Sequence, residues 1–135
     1  MEIRALFSCA DNPAWAETAR SFLFGCYTGL RVSGLRALTW GMINIETLQI
    51  IKRQKKTRKD VYIPLAFSAW TLINDGGAHE TGEKIFNTPE ETSAYKQMKA
   101  WAAAAGAQKN LTWHIARKTF ATHESGERRG NIYGC

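Results

Sequence analysis

Arg31, the cationic run at 52–60, and the pair His114 and Arg117 are the residues whose types and spacing could do chemistry together. His114 and Arg117 stand three positions apart in LTWHIARKTF, residues 111–120, so a helix there shows both on one face. In KRQKKTRKD, residues 52–60, six of nine side chains are cationic. A phosphodiester undergoing displacement gathers charge on its non-bridging oxygens. Two guanidiniums can clamp those oxygens with paired hydrogen bonds, and a histidine can add a donor. A flexible lysine near the scissile bond could protonate a departing 5′ oxygen, which is general acid catalysis on a poor leaving group. Each residue also has a plainer account. Arg31 could pair with a nearby acid, His114 could cap or pack locally, Arg117 could solvate a helix face, and the lysine-rich turn could discourage edge pairing. Composition and spacing leave both accounts open.

The elements that must position these residues can be read along the chain. Residues 12–28 open with Asn12 and Pro13, a cap and first-turn pairing, and continue with apolar residues at helical spacing. Thr28 and Gly29 break that helix. Val32, Leu35 and Leu38 form the buried stripe of a second helix whose exposed side carries Arg31 and Arg36. LQIIKRQKKTRKDVYIPL has β-branched runs on either side of a cationic middle, as a hairpin would, with Pro64 ending its second strand. Residues 65–75 read as a helix, DGGAHETGE as a loop and KIFNTP as a short third strand. Residues 90–105 are a strong helix by propensity, with Gly106 at its C-terminal cap. LTWHIARKTFATHE is a final helix capped by Thr112, and SGERRGNIYGC beyond it is a frayed tail.

With 135 residues and 44% hydrophobic content the chain suits one domain with a real core. Eighteen Lys and Arg against twelve Asp and Glu leave a formal charge of +6, a surplus that favours polyanions through counterion release. Cys9, Cys26 and Cys135 form no CxxC and sit near no paired histidines, so neither a disulfide framework nor a zinc site is indicated, and a reducing compartment is the simple reading. No apolar run approaches a membrane span, and Glu2 follows Met1 in place of a basic signal region. A cytosolic protein without a membrane partner is expected.

Three stretches, TGLRVSGLRALTW, KKTRKDVYIPL and LTWHIARKTFAT, in this order and at these separations, closely resemble the catalytic domain of the tyrosine recombinases, the phage-type integrases. The resemblance spans roughly residues 12–122. It implies an α+β, mainly α fold with a small antiparallel sheet. Arg31 would be the first phosphate-clamping arginine and Arg117 the second, with His114 assisting and Lys56 as the acid. Lys55 and Lys59 are rivals to Lys56. The family cleaves one DNA strand at a time through a 3′-phosphotyrosyl intermediate, without metal or nucleotide cofactor. Double-stranded DNA would be the partner, touched by Lys52, Arg53, Lys55, Arg58, Lys59 and Lys118, with a second copy or an intact recombinase beside it.

The departures from the family pattern carry as much meaning. Gly34 stands where the family usually has an acid, three positions after its first arginine, so an acceptor that would support Arg31 is missing. Lys118 replaces the usual histidine after the second arginine. There is no room before residue 12 for the amino-terminal core-binding domain. Tyr133 is the only tyrosine after Arg117 and lies just sixteen positions beyond it, too close for the family's nucleophile. His123 reads as a surface residue. The partial catalytic domain is therefore expected at 1–122, with an irregular tail at 123–135. With one permitted choice of codons, a one-base shift of frame near residue 122 makes the tail read Leu-Thr-Ser-Leu-Gly-Arg-Gly-Val, similar to the family's next segment. The nucleotide sequence decides that expectation.

Without further terminal helices, the helices at 90–105 and 112–122 lose cover, so the core aromatics Trp101, Trp113 and Phe120 are expected to leave an apolar patch exposed. The functional expectation is a recombinase or integrase fragment that binds DNA and cannot cleave alone. Three rivals stand beside it. A non-catalytic remnant would occupy recombination sites, a type IB topoisomerase relative would share the Arg, Lys and His set, and a basic RNA-binding domain would bind without regard to Arg31 or Arg117.

Overall fold

A computed structural model describes residues 3–53, 56–106 and 111–126. Six α-helices and three strands are found among them: α1 (Ile3–Ser8), α2 (Ala16–Thr28), α3 (Val32–Ala37), β1 (Ile43–Asn44), β2 (Gln49–Arg53), β3 (Asp60–Pro64), α4 (Phe67–Ile73), α5 (Glu91–Ala104) and α6 (Trp113–Gly126). This is the mainly helical fold with a small antiparallel sheet that the sequence implied.

α2 is the centre. Every residue from Ser21 to Thr28 is buried, since α3, α4, α5 and α6 all pack on it. A helix covered on all sides must be apolar nearly all round, and FLFGCY supplies that. Phe22 meets Trp101 of α5 edge-on at 5.5 Å and Trp113 of α6 at 6.2 Å, while Phe24 meets Phe86 at 5.2 Å. Polar ties hold the layers in register. Thr18 Oγ1 donates to Gln97 Oε1 at 2.6 Å, and the indole of Trp101 donates to the Leu6 carbonyl at 2.9 Å. Leu6 belongs to α1, a helix the sequence pattern did not single out.

The sheet runs β1-β2-β3, antiparallel throughout, with Ile50 opposite Ile63 and Lys52 opposite Val61. Alternation along β2 turns Ile50, fully buried, into the core. Period two places Lys52 on that same face, further along where the core has ended.

Several expectations need correction. The helix expected over 12–28, α2, begins at Ala16, because Asn12 spends its side chain on an Asx turn, accepting from the Ala14 amide at 3.0 Å, and Pro13 sits in that turn. KIFNTP is no strand. Only a bridge between Thr39 and Lys84 forms there, and Ile85 and Phe86 plug the core in place of pairing further. Arg36 is half-buried and reaches the Thr88 carbonyl at 3.4 Å, so it is an anchor and not an exposed cation. Trp101 and Trp113 are covered at 0% and 7% exposure and Phe120 is half-buried, so these three leave no open aromatic patch. α6 runs through Gly126, two residues past the helix end read at Glu124, and the rest of the tail lies outside the described residues.

The loop between α4 and α5 is fastened by His79. Its ring lies flat on Trp40, centroids 4.2 Å apart and 4° from parallel, and its two nitrogens face Asp75, at 2.9 Å, and Glu83. A neutral imidazole has one N–H, so acceptors on both sides favour the doubly protonated ring. The hydrogen bond to Asp75, then that to Glu83, raise the His79 pKa above its ordinary 6.5, and the same bond to His79 lowers Asp75 below its ordinary 3.8. The raised His79 contributes stability fully present below 6.5 and lost as pH rises through its folded value. The lowered Asp75 contributes above 3.8 and loses that contribution as pH falls. His79→Ala should therefore lower the urea midpoint at about pH 5.5 and do so less at about pH 9. An equal drop at both pH values would show that stacking on Trp40 alone fastens the loop.

Candidate nucleic-acid interface

Two glycines let α6 approach α2 closely. A Cβ on Gly25 would lie 3.6 Å from that of Ala116, and one on Gly29 would lie 2.6 Å from the Phe120 ring. Gly25 and Gly29 are one helical turn apart, as are Ala116 and Phe120, so the elements meet turn against turn. Gly29 also caps α2 in the left-handed region, φ 73°, with its amide bonded to the Gly25 carbonyl at 2.9 Å.

That docking sets the basic residues. Thr112 caps α6, its Oγ1 accepting from the Ile115 amide at 3.2 Å. One turn on, Arg117 Nε donates to the Gly29 carbonyl at 3.2 Å, spanning 88 positions of sequence. Arg31 lies two residues beyond Gly29, extended at φ −73° and ψ 159°, and its carbonyl accepts from the Leu35 amide to start α3. Arg31, His114, Arg117 and Lys118 are all exposed. The segment with Arg31 and the helix with Arg117 are thus neighbours.

The hairpin cations divide into two groups. Lys56, Arg58 and Lys59 are exposed at or near the tip, where Arg58 takes a left-handed φ of 54° to close the turn. Lys55 and the side chain of Arg53 lie outside the described residues. Lys52 is different, because its Nζ lies 3.6 Å from where a Cβ on Gly34 would be. Gly34 is one turn after Arg31. The ion pairs among the described residues join Glu17 to Arg20 and His79 to Asp75 and Glu83, so no carboxylate there neutralises Arg31, Lys52, Lys56, His114, Arg117 or Lys118.

Sequence spacing did not single out Lys52 from its neighbours. The signal was available in the strand alternation, because Lys52 shares parity with Ile50. Among the described residues no group of three or more His, Cys, Asp and Glu could hold a metal ion, and no helix is long and apolar enough to cross a membrane.

The model of the phage integrase family matches residues 1–125. That range takes in α1, ahead of the stretch the sequence motifs had marked. The crystal structure of XerA recombinase is similar with a TM-score of 0.69 at 24% identity, over 96% of this chain and 48% of that one. The structure of the Tn1549 transposon integrase in complex with circular intermediate DNA is similar with a TM-score of 0.59 at 17% identity, over 99% of this chain and 55% of that one. The chain therefore spans about half the length of these solved chains. No curated protein matches it.

Proposed function

The chain belongs to the phage integrase family, and from that premise we propose that it grips a phosphodiester of double-stranded DNA in site-specific recombination or integration, without cleaving it alone. Arg31 and Arg117 hold the non-bridging oxygens, where charge develops during displacement, and His114 adds a donor. Lys56, a flexible cation near the hairpin tip, would protonate the departing 5′ oxygen. Lys52, Arg53, Lys55, Arg58, Lys59 and Lys118 carry backbone phosphates, a contact that reads charge and not sequence. A second copy or an intact recombinase on the same DNA is the further partner in this reading.

The observation that supports this reading most is the bond from Arg117 to the Gly29 carbonyl at 3.2 Å. It brings α6 against the segment that carries Arg31. The solved Tn1549 transposon integrase, which shares the fold, is in complex with DNA.

Replacing Arg31 or Arg117 by alanine should weaken binding to a labelled duplex by about 1–3 kcal/mol, the worth of a charge-assisted hydrogen bond. Fluorescence anisotropy measures it. Undiminished binding by both variants would leave only generic attraction of a basic surface, the RNA-binding reading included. Incubation with a nicked suicide duplex checks the second half of the proposal. No covalent protein–DNA adduct is expected, and an adduct at Tyr133 would overturn the non-cleaving reading.

A further inference from the structure

We infer that Lys52 binds the same phosphate as Arg31, and that Gly34 is what leaves its ammonium free to do so. The inference rests on the phosphodiester-binding reading above and assigns a further residue to that site.

The strand directs Lys52 there. Ile50 is fully buried and faces the core, and Lys52 projects from the same face two residues later. Its four-carbon stem runs toward α3, and the ammonium comes to rest 3.6 Å from the Cβ position of Gly34. The next nearest atoms to that position belong to Leu30, at 3.8 and 3.9 Å. Any side chain at 34 would therefore point at the ammonium. An acid there would pair with Lys52 inside the chain and cancel its charge toward a ligand. With glycine the ammonium is open, and it has no ion-pair partner among the described residues.

Position 34 lies one turn after Arg31, so the two residues share a side of α3. Holding an uncompensated ammonium beside that side costs free energy in the unbound protein through repulsion of like charge. A phosphate bound by Arg31 removes that repulsion. Lys52 is exposed, as the tip cations are, but it alone among these has its ammonium placed against α3 at Gly34. Lys52 is thereby a contact at the gripped phosphate, beside Lys56 at the leaving oxygen.

The test is anisotropy with a labelled duplex of arbitrary sequence, titrated at several salt concentrations. Lys52→Ala should weaken binding roughly tenfold and reduce the salt slope by about one, whereas Lys96→Ala on the exposed face of α5 should do neither. Lys52→Arg should retain binding, which separates lost charge from lost folding. Gly34→Ala, whose added Cβ meets only ordinary contacts, should bind like the parent, and Gly34→Glu should lose at least as much as Lys52→Ala. Combining Lys52→Ala with Arg31→Ala should cost less than the product of the single losses, because each cation holds the phosphate within reach of the other.

Lys52→Ala binding as tightly as Lys96→Ala, or losses with Arg31→Ala that multiply fully, would overturn the inference. If Arg31→Ala and Arg117→Ala lose binding while Lys52→Ala does not, only the role of Lys52 falls. If none of the three loses binding, the phosphodiester reading falls with it.

Discussion

Trp101→Ala should destabilise the chain by about 3–5 kcal/mol, the range for removing a large buried aromatic. Trp101 is fully buried at the junction of three helices. It contributes α5 to the junction, meets Phe22 of α2 edge-on at 5.5 Å and 85°, and donates its indole N–H to the Leu6 carbonyl of α1 at 2.9 Å. Truncation would leave a cavity lined by Phe22, lose an edge-to-face pair worth about 0.5–1.5 kcal/mol beyond area, and strand a buried carbonyl at a cost of about 1–3 kcal/mol. These losses overlap and do not sum. Trp101→Phe separates them, since it keeps most of the volume and loses the donor. Urea unfolding should place Trp101→Phe between the parent and Trp101→Ala. A shift of under about 1 kcal/mol for Trp101→Ala would mean that α1 and α5 are not packed together in solution.

Gly29→Ala carries the second large effect, and it reaches the phosphate site. At φ 73° an L side chain pays about 1–2 kcal/mol for the left-handed region alone. The new Cβ would also lie 2.6 Å from Phe120 Cδ2 and 3.0 Å from Cε2, so the half-buried ring must move. Forcing a packed ring aside costs about 1–3 kcal/mol more. Gly76→Ala isolates the first contribution, because Gly76 has φ 74° and nothing within 4 Å. The expected order of unfolding midpoints is parent, then Gly76→Ala, then Gly29→Ala. Movement of Phe120 shifts α6 by its neighbour Arg117, which bonds to the Gly29 carbonyl. DNA affinity should therefore fall with Gly29→Ala and not with Gly76→Ala. Equal effects of the two variants on stability would remove the ring contact from the account, and equal affinity would detach α6 docking from the clamp.

Local chemistry made much of this molecule legible in advance. The β-branched runs around a cationic middle became β2 and β3, and Pro64 ends β3 because a proline has no amide to continue a ladder. Thr112 caps α6 as its type and place suggest, since the hydroxyl needs only the amide three residues on. The run at 90–105 became α5 because alanine-rich segments lose little entropy in a helix. Where reading failed, a distant group had outbid a local one. Asn12 and Pro13 form a turn, not a cap. Ile85 and Phe86 left the strand alphabet to fill the core beside Phe24, and Arg36 left the solvent for the Thr88 carbonyl.

The same division governs the site. Residue types and motif order were enough to nominate Arg31, His114, Arg117 and a hairpin lysine, because a phosphate clamp demands particular donors and those donors are written in the chain. That α6 lies against the segment carrying Arg31 was decided only by tertiary packing. The Arg117 bond crosses 88 positions, and it exists because two glycines a turn apart admit Ala116 and Phe120. Likewise, six cations in a nine-residue run are equivalent as letters. Strand parity and the empty space at Gly34 make one of them, Lys52, a neighbour of α3, since which charge faces which surface depends on the register between elements and not on composition.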